Sequence, residues 1–326
     1  MRAAGKWVGR VLLALVGVGL AVWLFAPREP VDRAIAFEEA SVGADVDAWL
    51  AAREAAYPDI VPGVGKRVIW AGAKGAKTPL AVVYLHGFSA TSEEIRPVPD
   101  EVAKVLGANL FFTRLAGHGR GSAAMAEPVA GDWIEDVAEA MAVGRRIGER
   151  VLIISTSTGA ALAAIAATDP VLSKDLAGVV MISPNFALNS PAAFLLDLPL
   201  ARWWAPVVAG ATRSFAPANA EQAKYWTTSY PTTALFPLAA TAAHARGLDY
   251  SVARMPVLFI YALADQVIDP AAISPVAKAW GGPTTEALRE MTAGDDAYSH
   301  VIAGDILSPG QTEPVVALIL DWAIGL

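Results

Sequence analysis

Val151-Leu152-Ile153-Ile154-Ser155-Thr156-Ser157-Thr158-Gly159-Ala160-Ala161 is the stretch that decides how this chain is read. No charge interrupts the eighteen residues from Val151 to Thr168, so by hydropathy alone they match a membrane span. Four hydroxyl residues stand consecutively in the middle, however, with Gly159 after them. A β-branched run, a polar tight turn and an Ala-rich run predict strand, turn and helix instead. At the apex of such a turn Ser157 takes backbone angles that few residues tolerate, and its neighbours at ±2 must be small. They are Ser155 and Gly159, giving the pattern S-x-S-x-G. The turn lifts the Ser157 hydroxyl above the sheet and aims the Thr158 N–H, at a helix N-terminus, into the same space.

Further apolar, β-rich runs recur outward from this stretch: Arg67–Trp70, Leu80–Leu85, Asn109–Thr113, Gly178–Ser183, Val257–Tyr261 and Glu286–Met291. Helical stretches such as Asp132–Ile147, Ala160–Ala167 and Pro275–Trp280 separate most of them, and Ser41–Ala56 reads as a helical lead-in. Strands apolar on both faces and alternating with helices predict an α/β protein, its sheet mostly parallel and covered by helices on both faces. The short loop between Arg67–Trp70 and Leu80–Leu85 predicts an antiparallel hairpin at one edge. The alternation stops over residues 186–254, where large apolar side chains crowd without a convincing strand. That segment reads as a helical cap inserted into a core made of residues 67–185 and 255–326, with residues 29–66 leading in.

Other chemistry-bearing residues fall at the ends of these strands. Leu80–Leu85 runs into His86-Gly87-Phe88, a loop that can offer the Phe88 N–H to an oxyanion. Asp265 follows Val257–Tyr261, and His300 stands in a loop after Glu286–Met291. Nucleophile, acid and base thus come in the order Ser157, Asp265, His300. This order and placement resemble the α/β-hydrolase superfamily, most closely its capped monoacylglycerol lipase, lysophospholipase and esterase branch, over about residues 67–326. The Gly117-His118-Gly119 turn adds to the likeness.

The resemblance implies an α/β-hydrolase fold and acyl transfer: Ser157 attacks, His300 takes its proton, and Asp265 orients the imidazole. The Phe88 and Thr158 N–H groups would hold the oxyanion. It implies a supporting role in the loop for His86, and no cofactor or metal. His118 reads as structural, His244 as a residue of the Ala-rich Leu238–Ala245 stretch, and Asp295 and Asp296 as solvated loop carboxylates. Asp269, just before Pro270, reads as a helix cap, although it lies close enough to Asp265 to compete for the histidine. Trp203 and Trp204 are the candidate lining of an acyl pocket. The expected substrate is an ester with an apolar, lipid-like acyl chain. A peptidase or amidase with the same triad and a binding protein that has lost catalysis are the alternatives.

Composition narrows the partners. Charged residues make up 17 % of the 326 and hydrophobic ones 55 %, material for a large core and unlike a disordered chain. A net charge of -7 argues against nucleic acid, and the absence of Cys removes disulfides, thiolate metal sites and a thiol nucleophile. The four His (His86, His118, His244 and His300) do not cluster locally as zinc ligands would. No obligate protein partner is inferred.

At the N-terminus, Val11–Ala26 is free of charge and follows Arg2, Lys6 and Arg10. Extended back to Trp7 it reads as a single-pass membrane anchor over residues 7–26 within a leader of residues 1–28. The basic flank then places the rest of the chain on the non-cytoplasmic side. A cleaved signal peptide is the rival reading, with Leu24 and Pro27 poorly suited to a cleavage site after Ala26.

Overall fold

The computed structural model describes residues 2–326, the side chains of residues 2–5 and 8 lying outside the described set. The elements run α1 (Arg2–Phe25), α2 (Val46–Glu54), β1 (Arg67–Ile69), β2 (Thr78–Leu85), α3 (Val98–Leu106), β3 (Asn109–Phe112), α4 (Ala130–Ile147), β4 (Gly148–Thr156) and α5 (Thr158–Thr168). They continue with β5 (Leu176–Ile182), α6 (Ala201–Ala209), β6 (Thr212–Ser214), α7 (Ala220–Tyr225), β7 (Ser229–Pro231) and α8 (Leu235–Arg246). The last are β8 (Val257–Tyr261), α9 (Ile273–Ala279), β9 (Thr284–Leu288) and α10 (Pro309–Ala323).

Among the described residues the main sheet has seven strands in the order β1-β3-β2-β4-β5-β8-β9, parallel throughout except for β1. The strand that leads into Ser157, β4, therefore lies at its centre. Strand period two sorts the side chains of β4 between two cores. Val151 and Ile153 face Trp133, Val137 and Met141 of α4 and Leu162 and Ile165 of α5. Leu152 and Ile154 join Val98 and Val102 of α3 and Val315 and Ile319 of α10 on the other face. Each such side chain, fully buried, contributes roughly 1.5–3 kcal/mol, which is why a strand apolar on both faces settles in the middle of the sheet.

The edge is arranged otherwise than the expected hairpin. β1 pairs antiparallel with β3, not with β2. Asn109 makes this possible by accepting the Ala71 N–H at 2.9 Å and donating to the Ala76 carbonyl at 2.8 Å, which pins the intervening loop across the end of β3. Arg67 then lies over the Phe112 ring, 4.5 Å from its centroid. The lead-in is helical only over Val46–Glu54, where Asp45 caps the start by accepting the Ala48 N–H at 3.1 Å.

Residues 186–254 contain α6, α7 and α8, and also the β6–β7 pair, which sets Arg213 opposite Tyr230. Strands of three residues are too short to show a period, so the sequence reading that no strand occurs here is corrected.

The N-terminal expectation is corrected too. Among the described residues no helix is long and apolar enough to cross a membrane, so neither a span over residues 7–26 nor the placement built on it stands. The physical reason lies in length. The sixteen charge-free residues reach about 24 Å against a hydrocarbon core of about 30 Å, and reaching back to Trp7 brings Arg10 into the span. Of the three basic residues in that reading, Arg2 has its side chain outside the described residues. Beyond α1 the chain is tied to the main body. Glu29 pairs with Arg202 of α6 at 3.0 Å, and Glu135 of α4 accepts the Phe37 N–H at 2.8 Å.

Candidate active site

The turn after β4 forms as its small residues dictate. Ser157 sits at φ 53° and ψ -115°, and α5 begins with the next residue. Gly159 is obligatory here, because a Cβ at that position would stand 2.2 Å from the Leu85 carbonyl oxygen. The extra hydroxyl in S-x-S-x-G has a place, since Ser155 Oγ donates to the Val180 carbonyl of β5 at 2.8 Å. The strained apex is held by the Ser157 N–H donating to the Ile182 carbonyl, at 2.9 Å, and by the Ser157 carbonyl accepting from Asn185 at 3.1 Å.

The structure brings Ser157, Asp265 and His300 together. His300 Nε2 lies 3.0 Å from Ser157 Oγ and His300 Nδ1 2.8 Å from Asp265 Oδ2. The other Asp265 oxygen accepts the N–H groups of Val267 and Ile268 at 2.8 and 2.9 Å, so the carboxylate is fixed from both sides. Asp269 faces away from this set and accepts the Ala271 N–H at 3.0 Å, capping a short 3-10 turn at Pro270–Ala272. Burial pulls the His300 imidazole down, but the hydrogen bond and charge of Asp265, aided by Glu94 and Asp296, outweigh it and leave the pKa raised.

The other two imidazoles near the site have a different character. Burial lowers His86 to about 3 and His118 to about 4, so both are neutral near pH 7. His86 Nε2 accepts the Leu115 N–H at 3.1 Å, which puts its proton on Nδ1, and that proton is donated to the Gly87 carbonyl at 2.9 Å. Among the described residues the Phe88 and Thr158 N–H groups find no acceptor within the molecule.

Several residues at the site carry little or no sequence signal. Asp296, read as a solvated loop carboxylate, instead accepts the N–H groups of both His300 and Val301 at 3.0 Å and shapes the histidine loop. Ser183 Oγ donates to the His300 carbonyl at 2.7 Å. Only the Gly-Asp-Asp turn four residues before His300 hinted at the former. Glu94, on the loop after Phe88, lies against Gly87.

Trp203 and Trp204 stand elsewhere. Trp203 is 63 % exposed and lines a cavity of about 520 Å³ between α6 and residues 27–30. Trp204 is half-buried with Phe236 and donates its indole N–H to the Pro199 carbonyl at 3.1 Å. Neither that cavity nor one of about 530 Å³ lined by Arg53, Lys66, Arg114 and Arg120 has Ser157, Asp265 or His300 in its wall. Among the described residues no three His, Asp or Glu side chains are grouped to hold a metal ion.

The sequence profile of the Alpha/beta hydrolase family matches residues 82–314, more than half of the chain, and the protein belongs to that family. Among curated proteins none matches it. Solved structures share the fold. One, from work on LipS and LipT, two metagenome-derived lipolytic enzymes, is 22 % identical with a TM-score of 0.67, over 82 % of this chain and 100 % of the other. The monoacylglycerol lipase of Paleococcus ferrophilus is 16 % identical with a TM-score of 0.55, over 80 % and 98 %. A soluble variant of the monoglyceride lipase of Saccharomyces cerevisiae, solved with a substrate analog, is 12 % identical with a TM-score of 0.57, over 79 % and 90 %.

Proposed function

We propose that the protein is a serine hydrolase that cleaves carboxylic esters through an acyl-enzyme on Ser157. The observation that carries this reading is the unbroken chain of two hydrogen bonds, Ser157 Oγ to His300 at 3.0 Å and His300 to Asp265 at 2.8 Å. In the proposed reaction Ser157 Oγ attacks the ester carbonyl while His300 Nε2 takes its proton. Asp265 keeps the imidazole proton on Nδ1 and stabilises the imidazolium. The tetrahedral oxyanion accepts the Phe88 and Thr158 N–H groups, each worth roughly 3 kcal/mol in sites of this kind. Collapse expels the alcohol, which takes the proton from His300. Water then repeats the attack on the acyl-enzyme, with His300 again as base, and releases the acid.

Residues 186–254 act, in this reading, as a cap on the core made of residues 67–185 and 255–326. Contacts with the site loops support it. The Thr227 N–H donates to the Ser89 carbonyl at 2.7 Å, the Tyr230 ring stands edge-on to Phe88 at 5.2 Å, and Asn189 donates to the Asp265 carbonyl at 3.0 Å. The apolar residues of this segment favour an ester with an apolar acyl chain. The relatives named as monoacylglycerol and monoglyceride lipases point to the same class of substrate.

The test is a fluorophosphonate probe followed by p-nitrophenyl esters of rising chain length beside aminoacyl anilides. Labelling at Ser157 with faster turnover of the esters is expected. Labelling with a preference for anilides would make it an amidase, and no labelling would leave a binding protein.

A further inference from the structure

Glu94 is a carboxyl group at this site that the triad does not use. It is 2 % exposed, and its Oε2 accepts both the Gly87 N–H at 2.7 Å and the Tyr84 hydroxyl at 2.9 Å. Tyr84 Oη in turn lies 3.2 Å from the hydroxyl of Thr156, the residue before Ser157. A Cβ added at Gly87 would stand 2.6 Å from Glu94 Oε1 and 3.2 Å from Ser157 Cβ, so carboxyl, glycine and nucleophile are stacked in contact. Resting on the hydrolase reading above, we propose that Glu94 is a positioning residue: it clamps Gly87 so that the Phe88 N–H faces the reacting carbonyl.

The clamp follows from the freedom of glycine. Without a Cβ, Gly87 has the loosest backbone in the loop, yet it carries the peptide whose N–H is the oxyanion donor. That peptide is held at one end, where the Gly87 carbonyl accepts from His86 at 2.9 Å. In a trans peptide the carbonyl and the following N–H point in opposite directions, so this bond turns the Phe88 N–H away from His86. The preceding peptide is held by Glu94 through the Gly87 N–H. Two pins, one on each side of a single Cα, fix both of its torsions. Tyr84 ties the same carboxyl to the strand that carries the nucleophile, so donor and nucleophile share one frame.

The carboxyl has few neighbours. Tyr84 faces Glu94 from β2, while the adjacent Glu93 turns outward to Arg67 and Arg96, at 2.9 and 3.1 Å. Burial pushes the Glu94 carboxyl up to about 7, against the Gly87 and Tyr84 hydrogen bonds that favour its ionised form. In its ionised state it favours the protonated imidazole, and it is among the groups that hold His300 up.

Glu94→Gln and Glu94→Ala test this, with rates referred to folded protein. Glu94→Ala should lower kcat by about 10²-fold with KM within about threefold, and should slow fluorophosphonate labelling in parallel. Glu94→Gln keeps an acceptor for the Gly87 N–H but no charge. It should recover most of the kcat that Glu94→Ala loses, with KM within about threefold. A merely structural glutamate would lower the melting temperature and leave kcat and KM of folded protein at wild-type values in both variants. A folded Glu94→Ala with wild-type kcat would overturn the proposal, and so would a folded Glu94→Gln about 10²-fold slower than wild type, the latter even if Glu94→Ala does not fold. Absence of Ser157 labelling in the wild-type protein would instead overturn the hydrolase reading beneath it.

Discussion

The carboxyl edge of the sheet and the segment between β5 and β8 are built on opposite principles. At the edge several polar groups around Ser157 are held more than once: Asp265 by three partners, the His300 loop by Asp296 and Ser183, the strained serine by backbone bonds on both sides. Residues 186–254 have only a small core of their own, around Ala201, Ala205 and Phe236, and leave Phe194, Trp203, Val207 and Val208 exposed. A strained nucleophile persists only where its surroundings over-determine it, whereas a surface that selects substrates can be re-shaped at little cost to the fold. The chemistry is therefore expected to be sensitive to single atoms, and selectivity to whole side chains.

Ser157→Ala should break the first half of this contrast most sharply. Turnover should fall on the order of 10⁶-fold and fluorophosphonate labelling vanish, while the thermal midpoint stays close to the wild-type value. Labelling that survives, or that disappears only on changing Ser155, would move the nucleophile.

Next come the two neighbouring carboxylates. Asp265→Asn should fold and lose up to about 10⁴-fold in kcat, because the amide favours the wrong imidazole tautomer. Asp269→Asn should stay within a few-fold, and Asp269→Ala should cost about 1 kcal/mol of stability through the lost cap. The reverse pattern would make Asp269 the acid.

On the other side, Trp203→Ala should change the ranking of short against long esters with stability within about 0.5 kcal/mol, since the side chain is open to solvent. Trp204→Ala should lower stability by about 1–3 kcal/mol and depress all esters alike, as loss of packing around Phe236 would. Equal effects of the two would erase the distinction between a selecting surface and a supporting one.

The remaining prediction concerns pH. The fold keeps His118 neutral, with its pKa lowered to about 4. The unfolded chain takes that proton near pH 6.5, so the stability this residue supplies is present above 6.5 and is lost as pH falls toward 4. Glu94, raised to about 7, works the other way and supplies stability below about 4.5 that is lost as pH rises to 7. His118→Asn should thus reduce the loss of stability between pH 6.5 and 4 in urea titrations, and an unchanged slope would show that His118 is charged in the folded protein.

Local chemistry determined much of this protein. The hydroxyl run in Val151–Thr168 argued against a membrane span there, and the small residues at 155 and 159 specified a tight turn with Ser157 at its apex. The apolar runs specified a doubly covered parallel sheet, because a strand buried on both faces needs no polar alternation. The preference of Asp269 for a cap was equally local, a carboxylate before a proline.

What the tertiary structure decided was pairing and distance. β1 chose β3 over its sequence neighbour through Asn109, a contact that no period encodes. The three-residue strands β6 and β7 exist because they pair with each other. Among the described residues no helix proved long and apolar enough to cross a membrane, against the reading of residues 7–26 as an anchor. Asp296 read as a solvated loop carboxylate and nothing in the sequence singled out Glu94, and only folding set Glu94 against Gly87 and Asp296 against the His300 backbone. A buried carboxylate is defined by the donors around it, and those donors come from strands and loops far apart in the chain.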